Sequence, residues 1–382
     1  MADLAFHVPQ QVLFGSDTVN RIAGFVAPLG SRSLLVTEAI LYEQNTIERI
    51  QDLLQKKNIE SIVYDEVVPN ATSTCVEEGV VLCRSAHIEV VVGLGGIRAL
   101  STAKCIAMAA PDGQDIDDLL SGQLPTGNPL PYIEIPTTCR NPFMLVDRYL
   151  LVDGRTREAV LGKTQPGITK TVIMDPKLSF SLPAKYTATT LLSTLLHAVE
   201  GYISTRSSFL SDTLFERAIE TIGRIVRDEP RHLEGPRARA DAARAGFLTA
   251  MGLATSSAGM GTALAFAINA RLMVPKSWIA TILIPHVLEF NAASSVEKIA
   301  RVGTLLGEKL EEHSTVEAAN RTIESIRSLI GSLQLPGRLR DFDLELDDLV
   351  DVVEMAHGFE MIHYLPRTVS TEDLYDIVKS AF

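Results

Sequence analysis

Two adjacent glycines, Gly95 and Gly96, stand between an apolar run and a stretch of small residues. The run from Ile88 to Gly93 (IEVVVG) predicts a buried strand, and the stretch from Ala99 to Ala110 predicts a helix. A glycine turn at such a junction lets backbone N–H groups approach a phosphate, and the N-terminus of the helix adds partial positive charge. These residues therefore indicate binding of a pyrophosphate, as in a dinucleotide.

A carboxylate, Glu38, follows Val36 and Thr37 at the end of another predicted strand. In dinucleotide-binding folds, an acidic residue at such a position binds the adenosine ribose and favours NAD over NADP. The alternative is a solvated carboxylate at a strand end, because most glutamates lie on protein surfaces.

The first half of the chain alternates short β-rich runs with helical patterns, which is typical of parallel strands joined by helical crossovers. Further strands are predicted at 33–37, 61–64 and 132–135, and helices at 47–57 and 76–86. From about Pro183 long helical patterns dominate, at 187–204, 210–227, 238–256 and 316–330. We predict an α/β dinucleotide-binding domain with a parallel sheet over residues 1–183, followed by an all-α domain over residues 184–382.

The composition narrows the class of ligand. The chain has 382 residues, a formal net charge of -12 and a pI near 5.2, so phosphate-rich partners such as nucleic acid or an anionic membrane would be repelled. We expect a small-molecule ligand and a cytoplasmic protein, since no stretch approaches the ~18 apolar residues of a membrane span. The four cysteines show no CxxC pair or zinc spacing, which predicts buried free thiols at positions 75, 83, 105 and 139.

Eight segments, in order along nearly the whole chain, resemble the iron-dependent alcohol dehydrogenase family, whose architecture is shared with dehydroquinate synthase and glycerol dehydrogenase. They are 12–15 (VLFG), Pro69-Asn70 with 76–79 (VEEG), 93–104, 135–138 (IPTT), 174–183 (MDPKLSFSLP), 197–202 (HAVEGY), 284–291 (IPHVLEFN) and 365–367 (LPR). The resemblance implies a dinucleotide-binding domain, a helical domain carrying a divalent metal, a cleft between them, and a homodimer or higher homo-oligomer.

The first cofactor loop departs from the family's pattern. The family continues its glycine pair with a third glycine, a serine and then an aspartate, whereas this chain has Ile97, Arg98 and Ser101. A β-branched side chain thus replaces the third glycine, and a guanidinium replaces a hydroxyl.

The second cofactor loop keeps the paired threonines, Thr137 and Thr138, but loses the glycine and serine run that follows them in the family. Residues 139–143 (CRNPF) take its place, so this loop also gains an arginine, Arg140. Guanidinium groups bind phosphate or carboxylate through paired hydrogen bonds. We hypothesise that Arg98 and Arg140 bind an anionic ligand; the alternative is two solvent-facing arginines with no ligand.

The family holds its metal with one aspartate and three histidines. By the resemblance, these positions carry Ser193, His197, Thr262 and Lys276, and only His197 keeps a good metal-binding side chain. A further family histidine, near the nicotinamide, is replaced by Phe266. We therefore expect no iron or zinc.

Lys276 would place a fixed ammonium where the family has its metal. It could polarise a carbonyl group, anchor a carboxylate, or attack a carbonyl as an amine, with Ser193, His197 and Thr262 as hydrogen-bonding neighbours. The alternative is that Lys276 extends to solvent beside Trp278 and takes no part in chemistry.

Three functions remain open at this point. The first is a metal-independent, NAD-linked oxidoreductase for a small carbonyl compound or alcohol, which analogy of fold favours. The second is a non-redox enzyme that uses Lys276 and the two arginines on an anionic carbonyl compound. The third is a catalytically silent binding or partner protein.

Overall fold

The computed structural model describes residues 6–67, 72–111, 115–180, 182–228, 233 and 235–382. Pro69, Asn70 and Ser181, which belong to segments named above, lie outside the described residues. The chain divides into two compact units, an N-terminal unit with bounds His7–Ser181 and a C-terminal unit with bounds Leu182–Phe382, to which Phe6 also belongs.

A parallel sheet forms the centre of the N-terminal unit. Its strands are β1 (Gln11–Phe14), β2 (Arg32–Val36), β3 (Glu60–Tyr64), β4 (Val90–Gly95), β5 (Tyr132–Pro136) and β8 (Thr169–Met174), and a separate antiparallel pair is made by β6 (Arg148–Val152) and β7 (Ala159–Lys163). The sheet order is β1-β8-β5-β4-β2-β3, and every neighbouring pair in it is parallel. Strand β4 therefore lies between β5 and β2.

Apolar side chains cover both faces of this sheet. Leu34 and Val91 belong to one buried cluster, while Leu35 and Val92 belong to another, because successive side chains of a strand point to opposite faces. A parallel sheet buried on both faces needs strands that are apolar throughout, which explains the run VVVGLG in β4.

Five helices accompany the sheet: α1 (Ile22–Val26), α2 (Thr46–Gln55), α3 (Ser73–Ser85), α4 (Ile97–Ala109) and α5 (Ile116–Leu120). Helix α4 packs against α3, β4 and β6. Arg98, in its first turn, is the one residue of α4 that is not buried. The helix begins at Ile97, two residues before the predicted start at Ala99.

The described residues of the C-terminal unit form helices and the loops that connect them, without a strand. Its helices are α6 (Ala184–Ile203), α7 (Phe209–Asp228), α8 (Pro236–Leu253), α9 (Met260–Leu272), α10 (Lys276–Asn291), α11 (Val296–Leu306), α12 (Thr315–Ser332), α13 (Leu349–His357) and α14 (Thr371–Ser380). Helix α6 is buried from Thr187 to Ile203 and packs against α7, α8, α9 and α10. A helix that is apolar on all sides belongs in a protein core. The predicted fold class, a parallel α/β part followed by a helical part, is confirmed.

No helix in the described part of the chain is long and apolar enough to span a membrane.

The four cysteines all lie in described segments, and none forms a disulfide. Cys75, Cys83 and Cys105 are buried, as predicted, whereas Cys139 is only half-buried. Burial raises the pKa of the Cys83 thiol to about 12 and raises the pKa of Cys105 as well. Because the thiolate is the reactive form, these two buried thiols are inert in the folded protein.

We expect one thiol per native chain, Cys139, to react quickly with a disulfide reagent such as DTNB, since the other three are buried. The Cys139→Ser variant should lose this fast phase. Adding urea should release four thiols from the unsubstituted chain and three from the variant. Several fast-reacting thiols in the native protein would contradict this burial.

Candidate active site

The glycine turn between β4 and α4 has a backbone that requires glycine. Gly95 has a φ of 146°, a conformation that side chains rarely permit. A Cβ on Gly95 would lie 3.0 Å from the Cβ of Ala99 and 3.2 Å from Oε2 of Glu38. Gly96 is the N-cap of α4 and brings no side chain to cap it. The turn therefore brings another side chain, that of Glu38, close to the first N–H groups of α4.

Glu38 reaches this turn because it follows β2, which pairs with β4. Its Oε1 lies 2.8 Å from Nη2 of Arg98, and its Oε2 accepts a hydrogen bond from the N–H of Gly96 at 3.4 Å. The sequence suggested separate ligands for Glu38, a ribose, and Arg98, a phosphate. In the structure the two side chains form an ion pair with each other.

The paired threonines lie beside the same turn. The N–H of Thr137 donates to the carbonyl oxygen of Gly95 at 3.0 Å, continuing the pairing of β5 with β4. Thr137 is buried, while Thr138 and Arg140 are half-buried. The structure thus brings Glu38, Gly95, Gly96, Arg98 and Thr137 together, and Thr138 and Arg140 follow directly along the chain.

A buried ion pair that the sequence analysis missed holds the second loop. Lys104 on α4 lies 3.1 Å from Glu134 on β5, and both side chains are buried. Nζ of Lys104 also donates to the carbonyl of Phe143 at 2.7 Å. Asn141 donates to Glu134 at 2.7 Å and accepts from the N–H of Phe143 at 3.0 Å. Burial raises the pKa of Glu134, and the Lys104 ammonium opposes that rise.

The sequence held a signal for this pair, because Lys104 and Glu134 are charged residues inside apolar runs (TAKCIA and YIEIP). Charged side chains are almost never fully buried unless they are paired. Asn141, which takes part in the replaced family loop, is therefore a structural anchor of that loop.

The four residues that the resemblance places at the family's metal positions lie on three helices that pack against one another. Ser193 and His197 are one turn apart on α6, Thr262 is in the first turn of α9, and Lys276 is the first residue of α10. All four are buried, with exposed fractions of 1%, 3%, 1% and 7%.

Lys276 does not extend to solvent, so the alternative of a solvent-facing lysine beside Trp278 is wrong. The ammonium over the Trp278 ring belongs instead to Lys185, at 4.8 Å from the ring centroid. Phe266, at the position of a family histidine, is buried on α9 one turn after Thr262.

A buried carboxylate, Glu200, caps the start of α9. It accepts hydrogen bonds from the N–H groups of Gly259 at 3.0 Å and Gly261 at 2.6 Å, and from Oγ1 of Thr262 at 2.5 Å. Burial raises the pKa of Glu200, and these hydrogen bonds oppose the rise. The sequence predicted Thr262 as a hydrogen-bonding neighbour of Lys276. In the structure its hydroxyl donates to Glu200.

These side chains do not fit a divalent metal. Ser193 and Thr262 offer neutral hydroxyls, Lys276 offers an ammonium, and only the imidazole of His197 is a good ligand. Within the described ranges, no group of three or more His, Cys, Asp or Glu side chains is placed to hold a metal ion. Stable sites need several convergent ligands, and this set of donors supplies one.

Replacing Glu200 with Ala should lower the free energy of unfolding by about 2–4 kcal/mol, because the N–H groups of Gly259 and Gly261 lose a buried acceptor. Urea unfolding followed by fluorescence of Trp278, the single tryptophan, reports on the C-terminal unit. Glu297→Ala, an exposed change in the first turn of α11, is the control and should shift stability by less than about 0.5 kcal/mol. Equal midpoints for the two variants would refute the capping role.

Comparison with known proteins agrees with this architecture in both units. The model of the family "Iron-containing alcohol dehydrogenase" matches residues 9–176, and that of "Fe-containing alcohol dehydrogenase family, C-terminal" matches residues 187–382.

Lactaldehyde reductase of Escherichia coli (strain K12) is 26% identical over 374 residues, which are 97% of each chain. The 1,3-propanediol dehydrogenase of Citrobacter freundii is 28% identical over 379 residues, 98% of each chain. A crystal structure of 1,3-propanediol oxidoreductase matches with a TM-score of 0.94 at 26% identity over 100% of both chains. The chain therefore belongs to the iron-containing alcohol dehydrogenase family, and with that family it is an oxidoreductase.

Proposed function

We propose that this protein is a metal-independent, NAD-linked oxidoreductase that interconverts a small carbonyl compound and its alcohol. The observation that carries the proposal is the buried ammonium of Lys276, which begins α10 at the position of a family metal ligand. An alcohol dehydrogenase needs positive charge near the reacting oxygen, and Lys276 supplies it without an ion.

The balance of charge supports this role for Lys276. In the family, a divalent ion and one aspartate together carry one net positive charge, as the resemblance implies. Here Ser193 replaces a charged or imidazole ligand with a hydroxyl, Thr262 is neutral, and Lys276 alone carries one positive charge. The net charge at these positions is unchanged, although no divalent ion is needed to reach it.

The chemistry divides between the cofactor and the chain. A bound nicotinamide would supply the hydride for the carbonyl carbon. Lys276 donates a hydrogen bond to the carbonyl oxygen, stabilises the negative charge that develops there, and provides the proton that completes the alcohol. Ser193 and His197, one turn apart on α6, are the polar side chains that orient the ammonium.

The N-terminal unit supplies a site that fits a dinucleotide. Gly95 and Gly96 form the tight turn that a pyrophosphate requires, and Thr137 and Thr138 lie beside it. We assign the carboxylate of Glu38 to the hydroxyls of an adenosine ribose, because it follows β2 beside the glycine turn. Arg98 and Arg140 add positive charge for an anionic cofactor or substrate.

A second candidate is a non-redox enzyme in which Lys276 attacks an anionic carbonyl compound as an amine. Lys276 is buried among polar side chains, where an amine could act as a nucleophile towards a bound carbonyl carbon. We further propose a homodimer or higher homo-oligomer. We also propose a cytoplasmic location, which agrees with four thiols that form no disulfide.

The first experiment is a calorimetric titration of metal-stripped protein with NADH, with iron and zinc measured in the same sample. We expect a Kd in the micromolar range, about 1–100 µM, as is usual for such ligands. Absence of NADH and NADPH binding would exclude the oxidoreductase proposal and leave the non-redox enzyme or a binding protein.

The second experiment tests Lys276 with a panel of small aldehydes and NADH in the presence of a chelator. Lys276→Met should lower kcat/KM by about 100-fold or more, the usual cost of removing a donor to the reacting oxygen, while the Kd for NADH stays unchanged. Lys309→Met, at an exposed lysine of the same unit, is the control and should leave both values unchanged. If Lys276→Met keeps full activity, the assigned role of this ammonium is wrong.

A further inference from the structure

The ion pair between Glu38 and Arg98 stands directly on the glycine turn. The two side chains are 13% and 36% exposed, so the carboxylate is largely enclosed and the guanidinium faces outward. Oε2 of Glu38 lies 3.4 Å from the N–H of Gly96 and 3.2 Å from a Cβ built on Gly95. A ligand that binds the first N–H groups of α4 would therefore contact this ion pair.

A lone carboxylate at this position excludes a phosphorylated ribose, because two anions would be brought together out of bulk water. The guanidinium of Arg98 changes that balance. It lies 2.8 Å from the carboxylate and cancels its charge. It also presents a planar set of N–H donors that can bridge a carboxylate and a phosphate.

We propose that Arg98 determines the choice of cofactor: by neutralising Glu38, it admits NADPH as well as NADH. The inference rests on the proposed binding of a dinucleotide at the glycine turn. With NADH, Glu38 accepts hydrogen bonds from the ribose hydroxyls while Arg98 compensates its charge. With NADPH, the guanidinium keeps one N–H on the carboxylate and directs its other N–H groups to the 2′-phosphate, so that it bridges the two anions.

The position of Arg98 on α4 allows this bridging. It lies in the first turn of a helix whose other residues are all buried. The helix is further held by the buried pair of Lys104 with Glu134 on β5. The helix that carries Arg98 is therefore fixed, while the side chain of Arg98, which is 36% exposed, is open to a ligand from solvent.

The test is a set of Kd values for NADH and NADPH on the metal-free full chain and its variants. For the unsubstituted protein we expect two Kd values within about tenfold of each other. Arg98→Ala should raise the Kd for NADPH by about tenfold or more and that for NADH by clearly less, because Glu38 then opposes the phosphate alone.

Glu38→Gln should act in the opposite direction, lowering the Kd for NADPH relative to that for NADH, since the guanidinium no longer has a carboxylate to bind. Arg155→Ala is the matched control. It removes another arginine of the N-terminal unit from an ion pair, that with Asp117, and should leave both Kd values unchanged.

Two results would overturn the inference while leaving the proposed function intact. One is binding of NADH about 100-fold tighter than NADPH by the unsubstituted chain; the other is an unchanged ratio of the two Kd values in Arg98→Ala and Glu38→Gln. Binding of neither dinucleotide would refute the proposed function itself, so the two failures are distinguishable. Far-UV circular dichroism checks that each variant is folded, and Glu38→Gln keeps the test valid if Arg98→Ala is not.

Discussion

The buried ion pair of Lys104 and Glu134 is the constraint on which the cofactor side of the N-terminal unit depends. Removing one partner of such a pair costs about 3–5 kcal/mol, because a buried charge would remain uncompensated. Lys104 fixes α4 to β5, and Asn141 and Phe143 tie the following loop to the same two charges. The start of α4, with its glycine turn, is thereby held against the end of β5.

The C-terminal unit follows the same principle with Glu200. A carboxylate inside a protein needs hydrogen-bond donors, and Glu200 has them in the N–H groups at the start of α9 and in Thr262. Thr262, which the resemblance places at a family ligand position, donates its hydroxyl proton to Glu200 on a neighbouring helix. The buried charge that remains at these positions is that of Lys276.

Patterns within single elements made the fold predictable from the sequence. The run IEVVVG is flanked by helical patterns, which predicts a strand buried on both faces of a sheet. The mostly apolar pattern of helix α6 is typical of a helix in a protein core. Strands β1, β6, β7 and β8 were not predicted, because short runs such as QVLF and RYLLV do not distinguish a strand from a short helical segment. The helices α9 and α10 lack an amphipathic pattern, since they are buried nearly all round.

The contacts of the candidate site were less predictable, because they depend on the order of strands. Glu38 meets Gly96 only because β4 is added to the sheet beside β2, on the side opposite β3. Nothing between residues 38 and 96 fixes that order, so the sequence could suggest roles for Glu38 and Arg98 but not their pairing. The capping of α9 by Glu200 likewise joins two helices that are adjacent in space and distant along the chain.

The residues that differ from the family's pattern are buried or hydrogen-bonded in this structure. This bears on whether the site has lost its function through mutation. Ile97 is buried within α4. The side-chain amide of Asn141 both donates and accepts a hydrogen bond, and the hydroxyl of Thr262 donates a hydrogen bond to Glu200. Loss of ligands by drift would leave polar groups that had lost their partner, at a cost of about 1–3 kcal/mol each. Instead, Lys276 is one of the buried side chains at these positions, and burying an ammonium costs free energy. A costly charge retained inside a helical core is better explained by a use than by drift, and this favours an active enzyme over a silent relative.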